Sequence, residues 1–204
     1  PVYGFNTDPN KLGSVGKPIS TLSVKIAEDK EILLGGPCIM KGYYKNPGAT
    51  HAVTEKDENG VRWFHTGDLG YLDKDGYLYI TGRKKYVIVL PNGKKVSPEK
   101  VELALSQADY VKDILVVPIL VEEKQETVGV FVQPNLETIE TITSYSRKFL
   151  ENNPFILKTL IWQQIQEHQK DLAPFEKISS IDKLKIVKDF EKSPTGKIKR
   201  ETYL

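Results

Sequence analysis

The sequence has few cysteine, methionine and tryptophan residues. Its 204 residues include one cysteine, one methionine and two tryptophans. The single cysteine, Cys38, excludes an internal disulfide and is typical of a reducing compartment. The apolar neighbours Ile39 and Met40 predict that Cys38 is buried. A chain of this length can bury a substantial hydrophobic core without disulfides.

Long apolar runs and a strong net charge are also absent. No run of about 18 apolar residues occurs, so the sequence predicts no membrane span. The start, Pro1-Val2-Tyr3-Gly4, lacks the charged and apolar regions of a signal peptide, and we expect it to be the cut end of a longer chain. A net charge of +2 is too small to favour a nucleic-acid partner. We therefore expect a cytoplasmic globular protein.

Contact with a membrane surface is left open by the last part of the chain. Seven basic residues lie between positions 183 and 200, and acidic residues interrupt them. This mixture is more typical of a solvated face than of a lipid anchor. Peripheral membrane contact is the alternative interpretation.

The first part of the chain is typical of short strands joined by turns. Segments 22–26 and 31–34 predict one hairpin, and segments 70–72 and 77–80 predict a second one. The pair Asp75-Gly76 supplies the positive φ that the second turn requires. We expect this β-rich part to form a small distorted barrel.

The second part, from Arg83 onward, has a mixed α and β pattern. Ser97 is expected to cap a helix, and a longer amphipathic helix is expected from about 154 to 171. The other expected elements are a hairpin over 86–96, central strands over 114–117 and 128–132, and a last strand near 181–187. Two sets of apolar residues predict the buried faces of the helices: Val101, Leu103, Ala104 and Leu105, then Phe155, Ile156, Leu157, Leu160, Ile161 and Ile165.

These patterns predict an α+β fold in two domains. The β-rich domain spans residues 1–82, and a small mixed α+β domain spans 83–204. The break falls at Gly82-Arg83-Lys84-Lys85, which is neither long nor rich in proline, so a hinge is expected here and not a flexible tether.

The segment 193–200, Ser-Pro-Thr-Gly-Lys-Ile-Lys-Arg, carries the strongest chemical signal. Pro194 and Gly196 predict a tight turn with Lys197 at its tip, where an ammonium group can meet phosphate or carboxylate oxygens. Taken alone, such a turn is most often a plain surface loop. A Walker loop is excluded, because Glu191 stands in place of the first glycine and Ile198 in place of Ser/Thr.

A second block, His65-Thr66-Gly67-Asp68-Leu69-Gly70, also contains residues suited to binding a nucleotide. The carboxylate of Asp68 can accept two hydrogen bonds from a vicinal diol such as that of ribose, although an aspartate in a glycine-rich turn can be merely structural. Arg83 can brace ribose and phosphate oxygens. His65 is either a general base or, as we prefer, a residue in a polar contact. No protein-built metal site is expected, because His51 and His168 have no plausible partner ligands.

Together, segments 63–70, 80–85 and 193–200 resemble the adenylate-forming superfamily of acyl-CoA synthetases, amino-acid adenylation domains and luciferases. The resemblance implies that Asp68 holds the ribose hydroxyls of ATP. It also implies that Ile80 lies against the nucleotide, with core packing as the open alternative. Lys85 occupies the position of the family's hinge residue.

The same resemblance assigns roles in the second domain. Lys197 would bridge the substrate carboxylate and the α-phosphate of ATP. Gly93 and Lys94 lie in a loop that faces the active site during thioester formation in the family. Rotation about Lys85 would withdraw Lys197 and bring this loop in.

Within the superfamily, the hairpin length and the 88–90 run are most similar to long-chain fatty acid–CoA ligases. The implied substrates are ATP, a fatty acid and coenzyme A, with Mg²⁺ held mostly by residues outside this chain. The implied partner is the missing N-terminal part of the same protein, and the isolated chain is expected to be inactive. Two alternatives stay open, a carrier-loading acyl or aminoacyl adenylation domain and a non-catalytic nucleotide-binding module.

Overall fold

The structure is a computed structural model that describes residues 6, 8–121 and 125–204. The chain divides into two compact units, Pro1–Tyr86 and Val87–Leu204. Antiparallel sheet dominates the first unit, whereas the second combines a sheet with helices. The α+β class expected from the sequence is therefore confirmed.

The first unit is built on a five-stranded antiparallel sheet. Its elements are β1 (Ser23–Ile26), β2 (Glu31–Gly35), α1 (Pro47–Val53), β3 (Thr54–Lys56), β4 (Arg62–Leu72) and β5 (Leu78–Arg83). The long strand β4 pairs with β2 along one edge and with β3 and then β5 along the other. Both hairpins expected from the sequence, β1–β2 and β4–β5, are present. Among the described residues, the expected distorted barrel takes the form of an open sheet with the path β1-β2-β4-β3.

The second unit begins with a short hairpin and continues with alternating helices and strands. Its elements are β6 (Ile88–Val89), β7 (Lys95–Val96), α2 (Pro98–Leu105), β8 (Val111–Val121), β9 (Gln125–Pro134), α3 (Leu136–Ile142), α4 (Arg147–Asn152), α5 (Pro154–His168) and β10 (Leu184–Ile186). The helix expected over 154–171 ends three residues earlier than predicted. Helices α3 and α4 were not expected, because segments of seven and six residues are too short to show a clear helical period.

The sheet of the second unit has the order β10-β9-β8, with β10 parallel to β9. The prediction that both apolar strands are central is therefore wrong for β8, which lies at an edge. Its side chains are nevertheless buried on both faces. Val116 faces the helical core, whereas Leu115 and Val117 pack with Phe190 from the C-terminal segment. Cover on both faces explains why an edge strand is apolar without alternation.

In α2 and α5, the positions of the buried side chains follow the helical period more closely than the sequence analysis expected. In α5, Leu157 and Ile161 are buried four residues apart, while Phe155 is 76% exposed. In α2, Leu105 is fully buried and Leu103 is 70% exposed. Two residues correspond to about 200° around a helix, so each exposed side chain points away from its buried neighbour. The prediction that Phe155 and Leu103 belong to the buried faces is therefore wrong.

The expectation that Cys38 is buried is also wrong, because its side chain is exposed. It lies in the bend that follows β2, where the neighbouring Ile39 turns inward and takes the buried position. Residue order along a bend does not show which side chain points to the core. Within the described ranges, none of the helices is long and apolar enough to cross a membrane.

Five hairpin-like turns in the described part of the chain share one backbone design. In each, the first residue donates its N–H to the carbonyl four residues later, and its own carbonyl accepts from the residue three positions later. That residue is a glycine in four of the turns, whereas in the turn Ala27–Glu31 it is Lys30 with φ +71°. The glycines have φ between 75° and 80°: Gly60, Gly76, Gly93 and Gly196. This left-handed conformation strains other L-residues, so the glycine fixes the loop length and the direction of the next residue. Two of the turns, 90–94 and 193–197, have the sequence Pro-x-Gly-Lys at their ends.

We expect matched leucine substitutions in α2 to separate the buried face from the exposed one. Leu105→Ala should lower the free energy of unfolding by about 2–5 kcal/mol, because it leaves a cavity in the core. Leu103→Ala removes the same atoms from an exposed side chain and should change it by less than about 0.5 kcal/mol. Urea denaturation of both variants is the measurement, and equal losses would contradict the assigned faces.

Candidate functional site

The segment Thr66-Gly67-Asp68 forms an irregularity in β4, where the register with β2 shifts. The Thr66 hydroxyl donates to the carbonyl of Ile32 at 2.8 Å and accepts from the N–H of Asp68 at 3.0 Å. Gly67 has φ +71°, which its lack of a side chain permits. A local turn within the strand therefore sets the direction of Asp68.

Asp68 and Arg83 are cross-strand partners on β4 and β5. The Nε of Arg83 lies 2.8 Å from Oδ1 of Asp68, and the Arg83 and Asp68 side chains are 57% and 24% exposed. A carboxylate has about four lone-pair sites and can accept further donors beside an arginine. The pair therefore presents an acceptor and a fixed positive charge at one place on the strand surface. This combination suits a vicinal diol next to phosphate oxygens.

Ile80 lies on β5 with 48% of its surface exposed and is not a member of the hydrophobic clusters described for this unit. The neighbouring apolar position on the same strand, Leu78, is buried instead. This placement argues against the core-packing alternative for Ile80. Contact between Ile80 and a nucleotide stays a prediction.

Glu31 is a residue of this site that the sequence interpretation missed. It is 4% exposed at the start of β2. Its carboxylate accepts from the Gly67 N–H at 2.9 Å, from Lys84 Nζ at 2.9 Å and from His65 Nδ1 at 3.2 Å. His65 is thus in a polar contact, as preferred from the sequence. Because Glu31 follows a turn and precedes an apolar run, nothing in the local sequence distinguishes it from an ordinary turn residue.

Electrostatics explains why Glu31 can be ionised where it is buried. Burial by itself raises its pKa, but the hydrogen bonds from Lys84, His65 and Gly67 outweigh burial and hold the pKa below its ordinary value. On the other side, hydrogen bonds to Asp29 and Glu31 raise the pKa of Lys84. Glu31 and Lys84 are therefore an ion pair at neutral pH.

Lys197 lies in the second unit, immediately after the left-handed Gly196 of its turn. The turn is closed by the Ser193 N–H, which donates to the Lys197 carbonyl at 2.8 Å, and by a contact of 2.9 Å between the Ser193 and Thr195 hydroxyls. The side chain of Lys197 is exposed. The tight turn expected from Pro194 and Gly196 is thus present, and Lys197 is its last residue.

A buried ion pair holds the segment that carries Lys197. Arg200 donates to both carboxylate oxygens of Glu102, at 2.6 and 2.8 Å, and to the carbonyl of Val116 at 2.6 Å. Glu102 also accepts from the Val116 N–H at 2.7 Å. The Arg200 and Glu102 side chains are only 10% and 17% exposed. Sequence reasoning missed this pair because 98 residues separate its members.

The predicted hinge and thiol-facing residues lie in defined local structures. Lys85 belongs to a 3₁₀ turn, Lys84–Tyr86, and its ammonium group lies 4.9 Å from the Tyr86 ring centroid. Gly93 has φ +76°, and the ammonium group of Lys94 lies 4.7 Å from the ring centroid of Phe175. The roles of Lys85, Gly93 and Lys94 stay predictions.

The described residues do not fit a magnesium site. In the ranges that the structure covers, no group of three or more His, Cys, Asp or Glu side chains could hold a metal ion. Nδ1 of His168 is 2.8 Å from the backbone carbonyl of Gln164, within its own helix.

A cavity of about 810 Å³ lies apart from the predicted site residues, none of which lines it. It is bordered within the second unit by the ends of β9 and β10 and by α3, α4 and α5, through residues such as Gln133, Leu150 and Leu157. Cavity volume alone is thus a poor guide here, because the Asp68–Arg83 pair and Lys197 do not line this cavity.

Comparison with known protein families finds a match over most of the second unit. The profile of the AMP-binding enzyme C-terminal domain family matches residues 85–204. This match covers more than half of the chain, which therefore belongs to the AMP-binding, adenylate-forming enzymes.

Individual relatives are CoA ligases with different acyl groups. The chain is 45% identical over 107 residues to the long-chain-fatty-acid–CoA ligase FadD15 of Mycobacterium tuberculosis, a match that covers 52% of this chain and 17% of that protein. It is 41% identical over 108 residues to a 2-succinylbenzoate–CoA ligase of Listeria monocytogenes, covering 53% and 22%. The matched parts thus span about a fifth of these curated relatives.

Solved structures show the same fold over nearly the whole chain. O-succinylbenzoate CoA synthetase from Bacillus subtilis, in complex with its acyl-adenylate intermediate, aligns with a TM-score of 0.70 at 24% identity. The alignment covers 95% of this chain and 36% of the synthetase chain. At this identity, the likeness is evidence for the fold alone.

We expect the Arg200–Glu102 pair to be a large local contribution to stability. Arg200→Ala would leave the mostly buried Glu102 carboxylate without its cation, which should cost about 2–4 kcal/mol in the free energy of unfolding. Arg147→Ala is the control, because the Arg147–Glu151 pair is exposed and should contribute less than about 0.5 kcal/mol. Urea denaturation measures both, and similar losses would show that the buried pair is not an anchor.

Proposed function

We propose that this chain is the C-terminal part of an AMP-forming fatty acid–CoA ligase that acts on medium to long acyl chains. The observation that carries the proposal is the cross-strand pair Asp68–Arg83, 2.8 Å apart in a chain of the adenylate-forming family. The names of the fatty-acid–CoA ligase relatives support the acyl class. Other relatives are named 2-succinylbenzoate–CoA ligases, which supports a different acid as the substrate. The identity of the acyl group is therefore the part of the proposal most in need of a test.

In the proposed first step, a fatty acid carboxylate oxygen attacks the α-phosphorus of ATP, and the bond to pyrophosphate breaks. Asp68 accepts hydrogen bonds from the ribose hydroxyls, and Arg83 stabilises nearby oxygens. Lys197 supplies positive charge where negative charge develops at phosphorus. The products are acyl-AMP and pyrophosphate.

In the proposed second step, the sulfur of coenzyme A attacks the acyl carbon, AMP leaves, and the thiol proton is lost. The second unit would rotate about Lys85 between the steps, which withdraws Lys197 and brings in the Gly93–Lys94 turn. The hydrogen-bond pattern that both turns share supports this assignment, because each turn places its lysine directly after a left-handed glycine.

The complete protein that contains this chain should release AMP with ATP, fatty acid and CoA present. Fatty acids of graded length would show the acyl preference, and omission of CoA would separate the two steps. Acyl transfer to a carrier protein, with AMP release that ignores CoA, would favour a carrier-loading enzyme. Nucleotide binding without turnover would favour a non-catalytic module. Chain 1–204 alone should form no acyl-adenylate.

Lys197→Ala should lower the adenylation rate of the complete protein by about two to three powers of ten, because charge at phosphorus loses its counter-charge. Pyrophosphate release is the measurement. Lys188→Ala, another exposed lysine of the same terminal segment, should leave the rate unchanged. Equal rates for Lys197→Ala and the unmodified enzyme would exclude the assigned role.

A further inference from the structure

The contacts around Asp68 and Arg83 form a closed ring. Gly67 and Asp68 are neighbours in β4, whereas Arg83 ends β5 and its neighbour Lys84 begins the 3₁₀ turn that follows. Asp68 contacts Arg83 on one side of the ring. On the other side, the carboxylate of Glu31 accepts from both the Gly67 N–H and the Lys84 ammonium group. One carboxylate therefore connects the two backbone segments that carry the pair.

Burial decides what kind of role Glu31 can have. Its side chain is 5% exposed, so it is not placed to contact a substrate directly. A buried charge without partners would be costly, and here donors from three residues compensate it. Two of these donors adjoin the predicted nucleotide-binding residues. Satisfying the charge therefore also restricts where Asp68 and Arg83 can lie.

We propose that Glu31 is a positioning residue of the nucleotide site, which acts through Gly67 and Lys84 to hold the Asp68–Arg83 pair in its binding geometry. This inference rests on the proposed function, since it takes the pair as the ribose and phosphate contact. Arg83 is the last residue of β5 and Lys84 follows it, at the point where the β4–β5 pairing ends. Without Glu31 this end has fewer fixed contacts, and the distance between the paired side chains becomes variable.

The Glu31–Lys84 contact of the ring is between charged groups at neutral pH. Glu31 faces Lys84 and His65; Lys84 also contacts Asp29, and His65 Nε2 lies 3.6 Å from Glu55. The pKa of Glu31 is lowered, so its contribution to stability is present above its ordinary pKa and is lost as pH falls through the lowered value. The pKa of Lys84 is raised, so its contribution persists below its ordinary pKa and is lost only as pH rises through the raised value.

The test compares Glu31→Gln with Glu28→Gln in the complete protein. Glu31→Gln keeps a side-chain oxygen for the Gly67 N–H but removes the charge that holds Lys84. We expect the KM for ATP and the Kd for AMP to rise about tenfold, with the KM for fatty acid unchanged. Glu28 is exposed in the adjacent turn, and its substitution should change none of these. Circular dichroism at the assay temperature confirms that each variant is folded.

A double-mutant cycle separates positioning from general loss of stability. If Glu31 acts through the pair, Glu31→Gln should have no further effect on the Kd for AMP once Arg83→Ala is present. Lys84→Gln, which cuts the same ring from its other side, should reproduce the rise in KM for ATP. If Glu31→Gln does not fold, Lys84→Gln carries the comparison.

Failure of the inference and failure of the proposed function give different results. An unmodified enzyme that releases AMP, with Glu31→Gln unchanged in KM for ATP or additive with Arg83→Ala, overturns the inference and leaves the function standing. An unmodified protein that binds AMP without turnover, with binding weakened by Glu31→Gln, overturns the ligase function and supports the positioning role. Absence of both turnover and AMP binding overturns both.

Discussion

Compensation of a buried negative charge is the constraint on which the first unit depends. Glu31 is almost inaccessible to water, and an ionised carboxylate there is tolerated only if donors surround it. The donors come from β4 and from the segment after β5, so the requirement is met only when these parts of the chain meet in one arrangement. In the same arrangement, the register of β4 with β5 places Asp68 opposite Arg83.

The second unit uses the same principle with a different partner. Glu102 on α2 and Arg200 in the terminal segment are mostly buried, and both also bond to the backbone of Val116 on β8. A helix, a strand and the C-terminal segment are therefore joined at one point. Exposed Lys197 lies three residues before this point. A flexible, charged side chain is thus carried on a backbone that a buried charge pair holds in place.

The predicted site residues of the two units differ in their chemistry. Asp68 and Arg83, proposed to bind ribose and phosphate oxygens, belong to sheet strands of the first unit. Lys197 and Lys94 both follow left-handed glycines in turns of the same design in the second unit. The acyl group is the part of the proposal that the relatives leave most open, since their names include different acids.

The sequence by itself determined the elements with strong local signals. Gly76 and Gly196 fix turns through positive φ, apolar spacing identifies α5, and motifs such as Thr66-Gly67-Asp68 indicate a nucleotide site. Only the tertiary structure decided which side chains are buried and which charges meet. Cys38 and Leu103 are exposed although apolar residues lie close to them in the sequence, and Glu31 is buried and Arg200 mostly buried although both are charged. The physical reason is that turns and periodicity depend on adjacent residues, whereas the cost of burying a charge depends on partners far away in the chain.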